Sequence, residues 1–183
     1  YIPVPVSEVV LDWWVLPEDE SDPTVAEKPT IEVLIAAIHT DMIAKYQEIK
    51  EGAGLSSSLF EIDIFSNIRS VVGHDNSVLM VLDMGAGTTK LAIVDAGILR
   101  MQHIINMGSQ DITATLAKMK NISVLGAEKM KRDEGLLEQS GIVTEAASLP
   151  LNHIFAEVNK VIQNYRKKNP RKITKVILTG GGA

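Results

Sequence analysis

Residues 78–97 read VLMVLDMGAGTTKLAIVDAG. An apolar run stops at Asp83, a glycine-rich turn with two threonines and a lysine follows, and a second apolar run ends at Asp95. Two apolar runs of this length, bounded by turn residues, predict buried strands joined by a hairpin. Gly85 and Gly87 permit positive φ and remove Cβ atoms from the turn, so backbone N–H groups can converge on an anion. Thr88 and Thr89 add hydroxyl donors. Lys90 adds a positive charge if strand alternation turns it to the same side. Asp83, at a strand end, suits Mg²⁺ held through water, or the orienting of an attacking water. These parts match a polyphosphate and its metal, and they match a tight hairpin with a solvated carboxylate as well. The G-x-x-x-x-G-K-[ST] order is missing, and a strand rather than a helix follows the glycines. Neither a Walker A loop nor a dinucleotide fingerprint is therefore present.

Two further stretches bear on the same chemistry. VILTGGGA at 176–183 reads as a buried strand running into glycines, where a helix N-terminus would seat an anion or nucleotide. In GAEKMKRDEG at 126–135, Glu128 and Lys131 lie three apart on one helix face, as an ion pair or as a ligand pair.

Working outward, Val6–Leu16 is β-branched and aromatic and predicts a strand, as does 31–38. The acidic, proline-rich 17–30 reads as a solvated loop. Helical spacing follows over His39–Gly52, and Leu55–Ile62 predicts a third strand. A short helix spans Ile64–Val72, and GHDNS at 73–77 is the expected domain boundary. Beyond the central hairpin, Gly97 supplies the turn into a strand over Ile98–Met107. Ser109 is the expected cap of a helix to Met119, and Ser123 of one over 124–134. A long helix runs from about Glu145 to Lys168, with Pro150 in its first turns, and Lys172–Thr179 is the last strand. The order β-β-α-β-α, then β-β-β-α-α-α-β, predicts a two-lobed α/β or α+β protein.

The 183 residues are 45% hydrophobic and 22% charged, with formal net charge −5. KMKR at 129–132 and RKKNPRK at 166–172 are too short to track a nucleic-acid backbone. The chain has no cysteine, which excludes disulfides and thiolate metal sites. Its four histidines form no pair at ligand spacing. No run of ~18 apolar residues is present to span a bilayer. Both ends, at Tyr1 and just after Gly182, read as cuts.

The combination of D-x-G-x-x-x-T between strands, a helix bearing A-E-x-x-K, and a strand ending in T-G-G-G resembles the second half of the actin-like ATPase fold. YIPVPVSEVVLDWWVL, the AGL turn with FEIDIFSNIRSV, LDMGAGTTKLAIVDAG and AEKMKRDEGLL are similar to the PilM family of type IV pilus assembly proteins, relatives of the FtsA family. The resemblance implies an α/β, actin-like (ribonuclease H-like) fragment with an inserted small α+β subdomain (1C, SHS2-like). It assigns 1–62 to that subdomain, 63–77 to a connecting helix and turn, and 78–183 to the second actin-like half. It implies ATP and Mg²⁺ as ligands. Asp83, Gly85, Gly87, Thr88 and Thr89 would form the phosphate turn, with Asp83 holding Mg²⁺ through water. Glu128 and Lys131 would reach ribose and adenine, and Gly180, Gly181 and Gly182 would lie against the adenosine. GSQDIT at 108–113 resembles the segment that follows the phosphate hairpin. For the residue that positions water, Asp63 or Glu61 is the nearest counterpart; a helix N-terminal carboxylate is the plainer reading.

The family's first phosphate hairpin is absent from these residues, so tight ATP binding by them alone is not expected, and hydrolysis is slow at most. The resemblance implies a cytoplasmic scaffold at the inner face of the bacterial inner membrane, binding the N-terminal tail of a PilN-like membrane protein and capable of self-association. An FtsA-like division protein that polymerises and tethers a filament is the alternative. An actin-like domain used only for protein contacts is the third reading.

Overall fold

The computed structural model describes residues 4–17, 31–57, 59–137 and 140–183. It divides into two compact units, Tyr1–Glu61 and Ile62–Ala183. The division falls before the GHDNS turn at which the sequence suggests a boundary. The reason is packing: the helix Asp63–Val72 buries Ile64, Ile68 and Val72 in the second unit.

In the first unit a short 3₁₀ turn, Val6–Glu8, leads into β1 (Val9–Val15), which pairs antiparallel with β2 (Val33–His39). Helix α1 (Thr40–Gly52) follows directly. Strand alternation sends Leu34, Ala36 and Ile38 to one face, where they are half-buried. The other face carries Trp13 opposite Ile35 and Val15 opposite Val33, all exposed. The expected strand at Leu55–Ile62 does not form among the described residues. Its start is spent on closing α1, where the Leu55 N–H donates to Lys50 O at 2.9 Å. Ser57 Oγ donates to Leu59 O, and no ladder with β1 or β2 is made. β-rich composition does not make a strand without a partner edge. The acidic loop expected at 17–30 lies almost wholly outside the described residues.

In the second unit the described strands form one sheet in the order β5-β4-β3-β6. They are β3 (Val78–Met84), β4 (Thr89–Asp95), β5 (Ile98–Ile105) and β6 (Lys175–Thr179). The β3–β4–β5 meander is antiparallel, and β6 joins β3 in parallel after a helical crossover. The two-residue turn Ala96-Gly97 has positive φ at both positions, as a hairpin matched to the strand twist requires.

Both sheet faces are covered, which is why β3 and β4 read as continuous apolar runs. Helix α2 (Asp63–Val72) lies on Leu79, Val81, Ala92 and Val94. Helix α5 (Ile142–Lys168) lays Ile154, Val158, Val161 and Tyr165 on Met80, Leu82, Leu91 and Ile93. Helix α3 (Ser109–Lys120) and helix α4 (Val124–Glu134) pack with the start of α5 through Leu116, Ala127, Val143 and Ala146. Ser123 caps α4 as expected, accepting from Gly126 N at 3.1 Å.

Helix α5 begins at Ile142, ahead of the expected start near Glu145, and passes straight through Pro150. The proline removes one backbone bond. Its ring is buried, and Val143, Ala146 and Ala147 before it are buried too, which holds the early turns in place.

An Ile154→Ala exchange at this fully buried position is expected to cost about 2–5 kcal/mol. Leu137→Ala, at a side chain that is 99% exposed, is expected to stay within about 0.5 kcal/mol. Urea denaturation followed by circular dichroism compares the two.

Candidate functional site

The β3–β4 hairpin turns through Gly85–Thr88, closed by Gly85 N donating to Thr88 O at 3.0 Å. The turn accepts bonds from two other segments. The first two N–H groups of α3, on Ser109 and Gln110, donate to Gly85 O (3.0 Å) and Ala86 O (2.8 Å). The Gly182 N–H, beyond the end of β6, donates to Met84 O at 2.8 Å. Three glycine-bearing segments thus meet at one hairpin.

The meeting is possible only without side chains. A Cβ on Gly108 would lie 2.4 Å from Ala86 O and 2.6 Å from Gly85 O. A Cβ on Gly180, whose φ is +97°, would lie 2.4 Å from Met84 O and 2.5 Å from Asp83 Oδ1. Gly87 and Gly181 have open space around them. With the turn's carbonyls engaged by α3, the N–H groups of Ala86, Gly87 and Thr88 donate to no backbone acceptor among the described residues. Such a row of N–H groups is an anion-binding geometry.

Ser109 is not the cap of α3. Gly108 holds that position, because only a residue without Cβ fits against the hairpin there. The capping function is supplied in reverse: the Asp111 carboxylate accepts from Gly108 N at 2.8 Å.

Asp83 and Lys90 are cross-strand partners on the face that carries α2. Asn67 Nδ2 donates to Asp83 Oδ2 at 3.0 Å, and Lys90 Nζ pairs with the Asp63 carboxylate. Asp63 and Asn67 are one helical turn apart, so a single face of α2 grips the hairpin at both points. Lys90 is thereby placed beside Asp63. Glu61, the other acidic candidate, precedes α2 and is exposed. Thr88 is half-exposed at the turn, whereas Thr89 is fully buried and its hydroxyl donates to Met107 O at 2.8 Å. Thr89 therefore ties the hairpin to the segment leading into α3.

Glu128 and Lys131 form a second cluster next to the same junction. Lys131 Nζ reaches Ser109 O (3.1 Å), Thr113 Oγ1 (2.7 Å) and Glu128 Oε2 (2.8 Å). Thr113 Oγ1 donates to Glu128 Oε2 at 2.6 Å, and Arg132 Nε to Glu128 Oε1 at 2.8 Å. Lys131 first, then Thr113 and Arg132, hold the Glu128 carboxyl down at about 2. Among the described residues no three His, Asp or Glu side chains gather to hold a metal. Asp83 fits Mg²⁺ only as a single carboxylate reached through water, in the way that ion commonly binds.

Sequence reasoning did not find Asn67 or the close approach of Gly108. A glycine immediately before a helix was the available signal for Gly108; nothing in the pattern around Asn67 distinguishes it.

The chain matches the family of type IV pilus assembly protein PilM over residues 1–183. The chain belongs to the PilM family. Its fold is actin-like. It superposes on a PilM–PilN type IV pilus biogenesis complex with TM-score 0.77 at 24% identity, covering 100% of this chain and 52% of that one. MreB5 of Spiroplasma citri bound to ADP aligns with TM-score 0.57 at 16% identity, over 79% of this chain and 55% of that one. The cell division protein FtsA of Buchnera aphidicola subsp. Baizongia pistaciae is 32% identical over 122 residues, 64% of this chain and 27% of that protein. The PilM-family chain thus spans about half of the PilM in the complex and about a quarter of FtsA.

Gly108→Ala is expected to destabilise the protein by about 1–3 kcal/mol, since the new Cβ meets backbone rather than a flexible side chain. Gly181→Ala, in open space, is expected to leave the denaturation midpoint within error. For Glu128 the folded carboxyl lies below its ordinary 4.5. Its contribution is therefore complete above pH 4.5 and is lost as pH falls toward about 2. Thermal unfolding of Glu128→Gln across that window is expected to show a shallower acid dependence than the wild-type chain.

Proposed function

We propose that this chain supplies the second half of the nucleotide cleft in an ATP-binding, actin-like scaffold of the type IV pilus inner-membrane complex. One observation carries the reading: two glycine-bearing segments converge on a glycine-bearing hairpin whose remaining N–H groups have no backbone acceptor among the described residues, directly beside Asp83. In this reading Gly85, Gly87 and Thr88 cradle the phosphates, and Asp83 holds Mg²⁺ through water. Thr89 braces the cradle from behind. Glu128 and Lys131 sit at the ribose and adenine end, and Gly180–Gly182 face the adenosine. Mg²⁺ would offset phosphate charge; the protein's part is to orient the phosphates by backbone donors on a rigid hairpin. Asp63, the candidate for positioning water, is engaged by Lys90. Its carboxylate is directed at the lysine rather than at a water, which supports slow hydrolysis.

The partner reading rests on family membership and on the solved PilM–PilN complex. The whole protein would bind the N-terminal tail of a PilN-like membrane protein and so lie at the cytoplasmic face of the inner membrane. No helix among the described residues is long and apolar enough to cross a membrane. The FtsA similarity favours a second reading, a polymerising division scaffold, which ATP-dependent sedimentation would reveal.

Calorimetric titration of the full-length protein with Mg²⁺–ATP tests the nucleotide reading. Asp83→Ala and Gly87→Val are each expected to weaken binding by about tenfold or more. Gly87 has free space for a Cβ, so the valine variant is expected to fold and to report on the cradle. Absence of wild-type binding would leave a scaffold for protein contacts, to be tested by pull-down with the membrane partner's tail.

A further inference from the structure

Away from the hairpin, the free edge of β5 borders a cleft of about 600 Å³. Among the described residues, strand β5 pairs with β4 only and ends the sheet. One row of its backbone donors and acceptors therefore faces outward, the arrangement that accepts an added strand. Native proteins commonly blunt such edges with proline or with lysine on the strand itself. On β5 the blunting devices, the charged Arg100 and a bulge there, are confined to the first residues; 101–105 pair in regular register without proline or lysine, and Ile104 is half exposed.

The wall opposite the strand is cationic. Lys160, Asn164, Lys167 and Lys168 of α5 line the cleft. They are spaced at i, i+4, i+7 and i+8, one stripe of the helix. Met101 of β5 and Val161 of α5 supply apolar surface between them. Glu157 is the one acidic residue of the lining, and it is occupied: Lys160 Nζ lies 2.5 Å away and His103 Nε2 3.7 Å away. Lys167 and Lys168 form no ion pair with any described residue. From Lys160 to Lys168 the stripe covers about 12 Å, the length of about four extended residues.

We propose that this cleft binds an extended, acidic segment of a partner protein. The segment's backbone would pair with the β5 edge, and its carboxylates would meet Lys167 and Lys168. The open strand edge determines the extended form, and the uncompensated lysines determine the charge. The site is independent of the nucleotide reading, since it shares no residue with the hairpin junction.

A fluorescein-labelled heptapeptide of alternating glutamate and valine serves as the probe, with a lysine–valine counterpart as control. Anisotropy titration into the 183-residue chain is expected to show saturable binding of the acidic peptide alone. Affinity is expected to fall by about tenfold in Lys167→Glu/Lys168→Glu, by less in Lys167→Gln/Lys168→Gln, and on raising salt from about 0.1 M to about 1 M. Both variants are exposed-surface changes, and circular dichroism checks their fold. Hydrogen exchange is expected to slow at the amides of 101–105 when the peptide binds. The proposal is overturned if neither peptide binds, if both bind alike, or if protection maps elsewhere. Binding of phosphatidylserine vesicles in place of the acidic peptide would also overturn it and assign the lysines to a lipid surface.

Discussion

The second unit depends on one constraint: backbone must touch backbone where the β3–β4 hairpin meets the start of α3 and the turn after β6. Two N–H groups of α3 are satisfied by hairpin carbonyls, and a third hairpin carbonyl accepts from Gly182. A helix begins with unsatisfied donors, and here the hairpin takes the place of a capping side chain. The cost is compositional. Gly108 and Gly180 cannot carry a Cβ without striking carbonyl oxygen. The glycines are thus packing residues first, and the anion-binding geometry of the turn follows from the packing.

The same hairpin is gripped from its other side. Asn67 and Asp63 on α2 hold Asp83 and Lys90, while Thr89, pointing to the opposite face, holds Met107 O. Alternation along β4 separates the two roles: Lys90 faces the helix next to the unit boundary, and Thr89 faces the segment before α3. Lys90, next to the turn, is thus tied to the start of α2. That helix begins two residues after the first unit ends. The far end of the sheet is fastened separately, by Arg171 on the buried Asp95 and on Asn76 O at 2.9 Å. The two edges of the sheet differ as well. β5 stands beside a lysine-lined cleft, whereas β6 presents exposed Val176 and Leu178.

Membership of the PilM family places the chain among actin-like proteins, a fold that serves unrelated tasks. Function therefore has to be argued from sites. The geometry of the hairpin junction is the argument for the proposed nucleotide site, and the charge and open backbone at the β5 edge are the argument for the proposed protein contact. A scaffold that reads both a small anion and an extended chain would use separate surfaces for them, and the structure keeps the two apart in residue and in element.

Much of this was legible in the sequence. The apolar runs flanking Asp83–Thr89 specify buried strands, and Gly97 marks the hairpin turn. Ser123 marks a helix start, and the 3.6-residue spacing of Ile154, Val158, Val161 and Tyr165 marks the buried face of α5. These signals are local, because each depends on periodicity or on a turn's own dihedral angles. Leu55–Ile62 misled for the complementary reason: strand propensity is realised only against a partner edge, which no local pattern supplies. Ser109 misled because the cap is chosen by the space left between α3 and a hairpin some twenty residues earlier. The pairing of Asp83 with Asn67, the burial of Thr89 and the placing of Lys90 against Asp63 were decided by tertiary structure alone. Each joins residues on different elements, and their distance in space is set by how a helix sits on a sheet rather than by any spacing along the chain.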